Sequence, residues 1–305
     1  MKIRDHSIIR APQATPVRAQ VHQLASKEPR DTFSPSPQTG PELPDLSGLA
    51  KFSRTRMVGV KDTKLEDDSR RVVLVSRDTG AVQELDVDWS QTGRARDLEA
   101  IAPGRKRGEY LAVEGSSFGE NRARLFELQV SADGGEANKS HQLPDFGQEV
   151  EGLVSLANED GSQTVLFGGR GDENGASRIY WGSLSKEGLK FSPEGLEGKP
   201  VEAPYLGEGQ RSIADLALDN KGQLWATAAV DEGDQGPFDS MVYRVGHLTE
   251  GGPAPFQNSG GGGARIQGTK GEALVAYDGG SFYMGSDNES LGGRLEHFNI
   301  TGELV

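Results

Sequence analysis

Acidic residues begin several short apolar segments that lie far apart in the chain. Glu99, Glu151 and Glu272 are each followed by Ala or Gly and then by Ile or Leu, while Glu114 and Asp287 stand at the ends of two other apolar runs. Clustered carboxylates repel one another unless a cation, a proton or a basic side chain offsets the charge. Oxygen-rich clusters suit Ca²⁺ or Mg²⁺. These five acids are therefore candidate metal ligands, and Ca²⁺ is the candidate cofactor.

Three basic residues stand at comparable places and are candidate ligand-binding residues. Lys61 and Arg170 follow apolar runs, and Arg211 precedes one. They can hold the anionic group of a ligand, or they can pair with the acids and make the cluster a structural ion-pair network. A carboxylate at a strand start can also accept backbone N–H bonds from a neighbouring loop. The sequence leaves these alternatives open and does not identify catalytic residues.

The segments that carry these residues form an internal repeat. Five openings are alike, and each is followed by a second and a third apolar run: 45–50, 97–102, 149–154, 212–217 and 271–276. Their spacing accommodates four antiparallel strands, and no long helical periodicity intervenes. We predict an all-β chain with one β-propeller over residues 45–305, of five blades at approximately 45–94, 95–146, 147–207, 208–267 and 268–305, with six blades as the alternative.

Propeller topology predicts where the charged residues meet. The first strand of a blade lines the central channel and is antiparallel to the second strand. The start of the first strand therefore lies beside the end of the second. We expect the acids and the basic residues to converge at one mouth of the channel.

Residues 1–44 have a different composition from the rest of the chain. They contain seven of the fifteen prolines and few apolar residues. Such a segment cannot bury enough surface to offset its chain entropy. We predict a disordered Pro-rich arm, within which 17–26 has the spacing of a short helix. The segment that closes the propeller is left open.

Composition excludes several classes of function. A net charge of −13 argues against binding nucleic acid, which requires basic patches. No stretch approaches the roughly 20 apolar residues of a membrane span. The absence of Cys excludes thiolate chemistry. The N-terminus lacks the apolar core of a secretory signal, so we expect a cytoplasmic protein, and a monomer.

The blocks DLEAIA, EVEGL, RSIADLAL, KGEAL and GSDN resemble those of an uncharacterised bacterial β-propeller domain family. More loosely, they resemble the phytase-like propeller group, named for an esterase-like activity of phytase. The second resemblance implies phosphoester or ester hydrolysis, with Ca²⁺. The chain departs from it in having few basic residues near the expected mouth, whereas a phytate site needs several.

These observations favour a binding propeller over an enzyme. The first hypothesis is a ligand- or cation-binding propeller with an acidic channel mouth, whose partner is a small polar or cationic ligand. The alternatives are a Ca²⁺-assisted phosphoester or ester hydrolase, in which the basic residues hold the substrate's anionic group, and a protein-interaction scaffold.

Overall fold

The computed structural model describes residues 32–33, 43–61, 70–115, 123–171, 176–230, 233, 236–249, 254–288 and 292–300, with the backbone alone at 32–33 and 259–261. The predicted arm lies outside these residues except for 32–33 and 43–44. The proposed helix at 17–26 lies wholly outside them.

The described strands form five sheets. The first described strand is β1 (Thr32–Phe33). The first sheet contains β2 (Gly48–Lys51), β3 (Arg56–Val60), β4 (Val72–Ser76) and β5 (Val82–Leu85). The second contains β6 (Val87–Asp88), β7 (Leu98–Pro103), β8 (Glu109–Glu114), β9 (Arg124–Val130) and β10 (Gly135–Gln142). The third contains β11 (Val150–Ala157), β12 (Gln163–Gly169), β13 (Arg178–Ser185), β14 (Gly188–Phe191) and β15 (Lys199–Pro200).

The fourth sheet contains β16 (Gln210–Leu218), β17 (Gln223–Val230), β18 (Asp239–Leu248) and β19 (Phe256–Gln267), and the fifth contains β20 (Gly271–Ala276), β21 (Ser281–Ser286) and β22 (Leu295–Asn299). The repeated openings are the innermost strands, β2, β7, β11, β16 and β20, and each pairs antiparallel with the strand that follows it. The prediction of an all-β propeller of five blades is confirmed.

Two short strands extend the outer edges of blades in parallel pairing. β6 pairs with β10, so Val87–Asp88 belongs to the second blade although the sequence boundary at residue 94 assigned it to the first. β1 pairs with β19, with Thr32 opposite Arg265. Two residues of the predicted arm thus add to the outer edge of the fourth blade.

Helical structure is confined to two short segments among the described residues. α1 (Pro193–Glu197) begins where the Ser192 hydroxyl accepts the Gly195 N–H at 3.1 Å, and it ends at Gly198, whose φ of 67° favours glycine. The other is a single 3₁₀ turn at Asp278–Gly280. No helix in the described part of the chain is both long and apolar enough to cross a membrane.

Five hydrophobic clusters hold the blades together, one between each pair of neighbouring blades. The cluster that closes the ring joins Leu46 and Leu49 of the first blade to Val275 and Tyr283 of the fifth, and Leu43 belongs to it. Leu43 also forms a backbone bridge to Gly293. Among the described residues, closure of the ring of blades therefore depends on this cluster and on the segment before β2. The fifth blade has three described strands.

Three consecutive residues in the second half of each first strand line one end of the central channel in three rows. The first row contains Leu49, Ile101, Leu153, Leu216 and Leu274. The second contains Ala50, Ala102, Val154, Ala217 and Val275. The third, outermost row contains Lys51, Pro103, Ser155, Leu218 and Ala276. Residues of the first row pack towards the preceding blade and those of the second towards the following blade.

Candidate functional site: a charged mouth of the channel

β-Bulges position three of the predicted acids at the opposite end of the channel. The pairing registers shift between Leu98 and Ala100, between Val150 and Gly152, and between Gly271 and Ala273. The extra residue in each case is a glutamate: Glu99, Glu151 or Glu272. A bulge displaces one residue from the regular alternation and redirects its side chain. These glutamates are therefore equivalent members of the repeat at one mouth of the propeller.

Glu272 is the centre of a buried ion cluster. Its Oε1 accepts from Arg211 Nη1 at 2.9 Å and lies 3.1 Å from Lys270 Nζ, and both Glu272 and Lys270 are buried. Burial raises the pKa of Glu272 to about 8, although the two cations act in the opposite direction. Asp287 and Glu151 raise it further through their negative charge.

Asp287 lies on the other side of the same lysine. Its Oδ2 is 3.7 Å from Lys270 Nζ, and its backbone N–H donates to the Lys270 carbonyl at 3.1 Å. The neighbouring Asn288 accepts the Lys270 N–H through its side-chain oxygen at 2.8 Å. Lys270 is thereby held from the end of β21, as antiparallel pairing of β20 and β21 requires.

Glu151 pairs with Arg170 of its own blade. Arg170 Nη1 lies 2.7 Å from Glu149 Oε2 and 3.5 Å from Glu151 Oε1. The Arg170 carbonyl accepts from the Ser177 hydroxyl at 2.7 Å, which fixes the chain at the end of β12. Glu99 is half-buried beside Gly115, where a side chain would come within 2.6 Å of Glu99 Oε1. Glycine at residue 115 therefore leaves room for this carboxylate.

Asp215 is a further acid of this region, and it was not in the predicted set. It is fully buried and accepts the backbone N–H of Leu216 at 2.7 Å and of Leu274 at 2.6 Å, and Leu153 also donates to it. Burial raises its pKa well above the ordinary value of an aspartate, although the three donors oppose this. Asp215 joins the first strands of the third, fourth and fifth blades, which is a structural role.

Two other predicted residues, Glu114 and Lys61, each pair with a residue of their own blade. Glu114 forms a buried two-point pair with Arg124, with contacts of 2.6 and 2.9 Å, and accepts the Arg96 N–H at 2.5 Å. Lys61 lies 2.9 Å from Glu84 Oε1, in the same blade. Arg124 was missed by the sequence reasoning, although it is directly opposite Glu114 in the register of β8 and β9.

An open groove of about 890 Å³ adjoins the charged mouth between the third and fourth blades. Arg170 and Arg211 line it, with side chains 32% and 17% exposed. The loop before β16 contributes Tyr205, which is 78% exposed. Gln210 holds this loop by accepting the Leu206 N–H at 2.6 Å and donating to the Pro204 carbonyl at 3.0 Å.

Tyr205 was not among the site residues predicted from the sequence. The available signal is one aromatic residue in a Pro- and Gly-containing loop, six residues before Arg211. Exposed aromatic rings beside arginines are typical of ligand sites.

The mouth acids Glu151, Glu272 and Asp287 each have a basic partner within 4 Å. Within the described ranges, no group of three or more Asp, Glu, His or Cys side chains is arranged to hold a metal ion. The contacts favour the ion-pair alternative over a Ca²⁺ site, and the Ca²⁺ site stays a prediction.

Comparison with protein families and with curated proteins finds no match. Solved structures similar to the chain include an α-L-arabinofuranosidase from Clostridium thermocellum, at 12% identity over 84% of this chain and 90% of that chain, with a TM-score of 0.49. An arabinanase from Bacillus subtilis is 15% identical over 86% of this chain and 96% of that chain, with a TM-score of 0.47. Similarity this distant carries no argument about activity, and the resemblance to the phytase-like group stays a prediction.

Proposed function

We propose that the protein is a ligand-binding propeller whose mouth groove takes a small molecule bearing a carboxylate or phosphate group. The observation that carries the proposal is the pair Arg170 and Arg211 in an open groove beside the exposed ring of Tyr205. Guanidinium groups bind carboxylate and phosphate through planar sets of N–H donors. The groove volume is within the range of sites for small molecules.

The charge balance of the mouth restricts the ligand to a small anion. Glu149 and Glu151 already offset the charge of Arg170, and Arg211 donates a hydrogen bond to Glu272. A polyanion would meet the repulsion of these carboxylates and of a chain with a net charge of −13. A ligand with one anionic group and a flat face for Tyr205 matches the groove.

Thermal unfolding with a panel of small carboxylates and phosphates tests this proposal. A ligand at a hundredfold excess over its Kd stabilises by about 2.7 kcal/mol, which raises the melting temperature by several degrees. Arg170→Gln and Tyr205→Ala should each reduce the rise. Arg105→Gln is the matched control, because Arg105 is a half-buried arginine outside the groove whose side chain donates to the Gly161 carbonyl at 3.2 Å. A panel without any stabilising member, or a rise unchanged in Arg170→Gln, would contradict the proposal.

A second candidate, a hydrolase, is favoured by one specific observation. Glu272 has a pKa of about 8 and is close enough to Glu151 for the charge of Glu151 to raise that pKa. A neutral carboxylic acid near a carboxylate is the arrangement by which one site supplies both a proton donor and a base or nucleophile. In this role Glu272 donates the proton.

Chromogenic esters, phosphoesters and glycosides test the second candidate. Turnover by the wild type that is lost in Glu272→Gln and retained in Glu84→Gln would support it. Glu84 is a suitable control because it is an exposed partner of Lys61 and Arg70. Absence of turnover with all three classes of substrate would contradict the hydrolase candidate and would not affect the binding proposal.

A further inference from the structure

The end of the channel opposite the charged mouth contains a separate cavity. It has a volume of about 130 Å³ and is lined by the three rows of residues at the ends of the first strands. Thirteen of its fifteen lining residues are apolar, and Ser155 has a hydroxyl that donates to the Pro103 carbonyl. Apolar cavities of roughly 150 Å³ hold one benzene-sized molecule. This end of the channel therefore has space for one small apolar group.

Of the described residues that line this cavity, Lys51 is the one that carries a charge. It ends β2 in the outermost row, is half-buried, and its Nζ lies 4.9 Å from the centre of the Tyr277 ring. Among the residues that the structure describes, no carboxylate lies within ion-pair distance of it. Burial lowers its pKa, an effect that the more distant Asp278 and Asp219 oppose. A partly desolvated ammonium group at the rim of an apolar cavity favours an anionic partner.

Tyr277 lies beside Lys51 and directly follows Ala276 of the outermost row. Its hydroxyl is buried and has no hydrogen-bond partner within the described part of the chain. The Arg77 guanidinium packs over the Tyr277 ring, 4.0 Å from the ring centre, and adds positive charge to this end of the channel. This end of the channel thus combines the Lys51 ammonium group with the nearby Arg77 guanidinium, and both charges favour a carboxylate.

We propose that this end of the channel binds one small monocarboxylate, whose aromatic ring or short chain fills the cavity and whose carboxylate pairs with Lys51. The site is independent of the charged mouth, because the apolar side chains of the first row and the hydrogen bonds to the Asp215 carboxylate lie between them. Its ligand class follows from the apolar rows and from the single cation. A dianion or a large ring exceeds what one lysine and 130 Å³ accept.

Calorimetric titration with benzoate, and with benzyl alcohol as its uncharged counterpart, tests the proposal. Wild type should bind benzoate more tightly than benzyl alcohol. Lys51→Met keeps the apolar stem and should weaken benzoate binding by about tenfold or more, since hydrogen bonds to charged groups contribute roughly 1.5–3 kcal/mol. It should leave benzyl alcohol binding unchanged. Lys106→Met is the matched control, because Lys106 is an 81% exposed lysine on the loop that follows β7.

A second variant separates the cavity from a surface ion pair. Ala102→Leu fills the second row without removing Lys51, and it should abolish the binding of both ligands. Retained benzoate binding in Ala102→Leu, or equal binding by Lys51→Met and the wild type, would overturn the proposal. Benzoate binding that is lost in Arg170→Gln but kept in Lys51→Met would place the ligand in the mouth groove and would also overturn it. Failure of the groove proposal leaves this test unaffected.

Discussion

Replacement of Glu272 by Gln should change how the stability of the protein depends on pH. The pKa of Glu272 is about 8 in the folded protein, against an ordinary value of 4.5. Between these two values the folded state keeps a proton that the unfolded state has released. The free energy of unfolding therefore falls as pH rises through this window, by up to about 1.4 kcal/mol per pH unit. Gln cannot titrate, so the variant lacks this contribution.

The difference between the two proteins isolates the effect of one group. Near pH 5 the neutral carboxyl group of Glu272 and the amide of Gln are similar in size and in hydrogen bonding, so the stabilities should be close. By pH 8 the variant should be the more stable, by an amount of the order of 4 kcal/mol. Other titrating groups, Asp215 and Glu296 included, are common to both proteins and cancel in the difference.

Urea denaturation followed by tryptophan fluorescence at pH 5, 6, 7 and 8 measures this difference. Glu84→Gln is the control, because the hydrogen bond from Lys61 lowers the pKa of Glu84 and its stability contribution changes only at lower pH. Its difference from wild type should be flat across the window. A flat difference for Glu272→Gln as well would refute the reasoning. It would mean that Lys270 and Arg211 outweigh burial and keep Glu272 ionised.

Three further predictions concern the same region. Asp215→Ala should destabilise the protein by about 2–4 kcal/mol in urea denaturation, because it leaves the N–H groups of two neighbouring first strands without their acceptor; a loss below 1 kcal/mol would contradict the role of Asp215. Glu114→Gln should cost about 1.5–3 kcal/mol, because it removes the charge partner of Arg124, whose side chain is 23% exposed, whereas Lys190→Gln in an exposed pair should leave the melting temperature unchanged. Millimolar Ca²⁺ should not change the melting temperature, since the mouth acids have basic partners; a rise that disappears in the Glu151→Gln, Glu272→Gln double variant would instead establish the Ca²⁺ site.

The repeat was visible in the sequence because each first strand must satisfy the same packing on both sides. Leu or Ile in the first row and a small or β-branched residue in the second recur in all five openings. Glu99, Glu151 and Glu272 were found for the same reason, since each stands directly before this apolar pattern. Asp215 stands one residue after Ala214, which is the position equivalent to these glutamates. In β16 the register shifts between Arg211 and Asp215, over a longer segment than in the other first strands. The length of a bulge is not encoded in residue types, so this difference could not be predicted.

Pairing across strands accounts for the other gaps in the sequence reasoning. Glu114 was grouped with the mouth acids because it ends a second strand, but its partner Arg124 begins the third strand directly opposite. Such a partner becomes visible only when the register is known. Lys51 was overlooked because its repeat equivalents are Pro103, Ser155, Leu218 and Ala276, none of which is charged.

The places where the repeat breaks are those that can recognise a ligand. A ring of five blades requires only that the first and second rows be apolar, and all ten residues of these rows meet that requirement. The rows on either side are not uniform. At the mouth, Ser47 and Ala214 stand where the other blades have glutamates, and at the opposite end one lysine stands among uncharged residues. Packing does not explain this asymmetry, since the equivalent blades pack without these charges. Recognition of a ligand without five-fold symmetry does require such an asymmetry. The two ends of the channel can differ in chemistry because the residues outside the two apolar rows are free to vary from blade to blade.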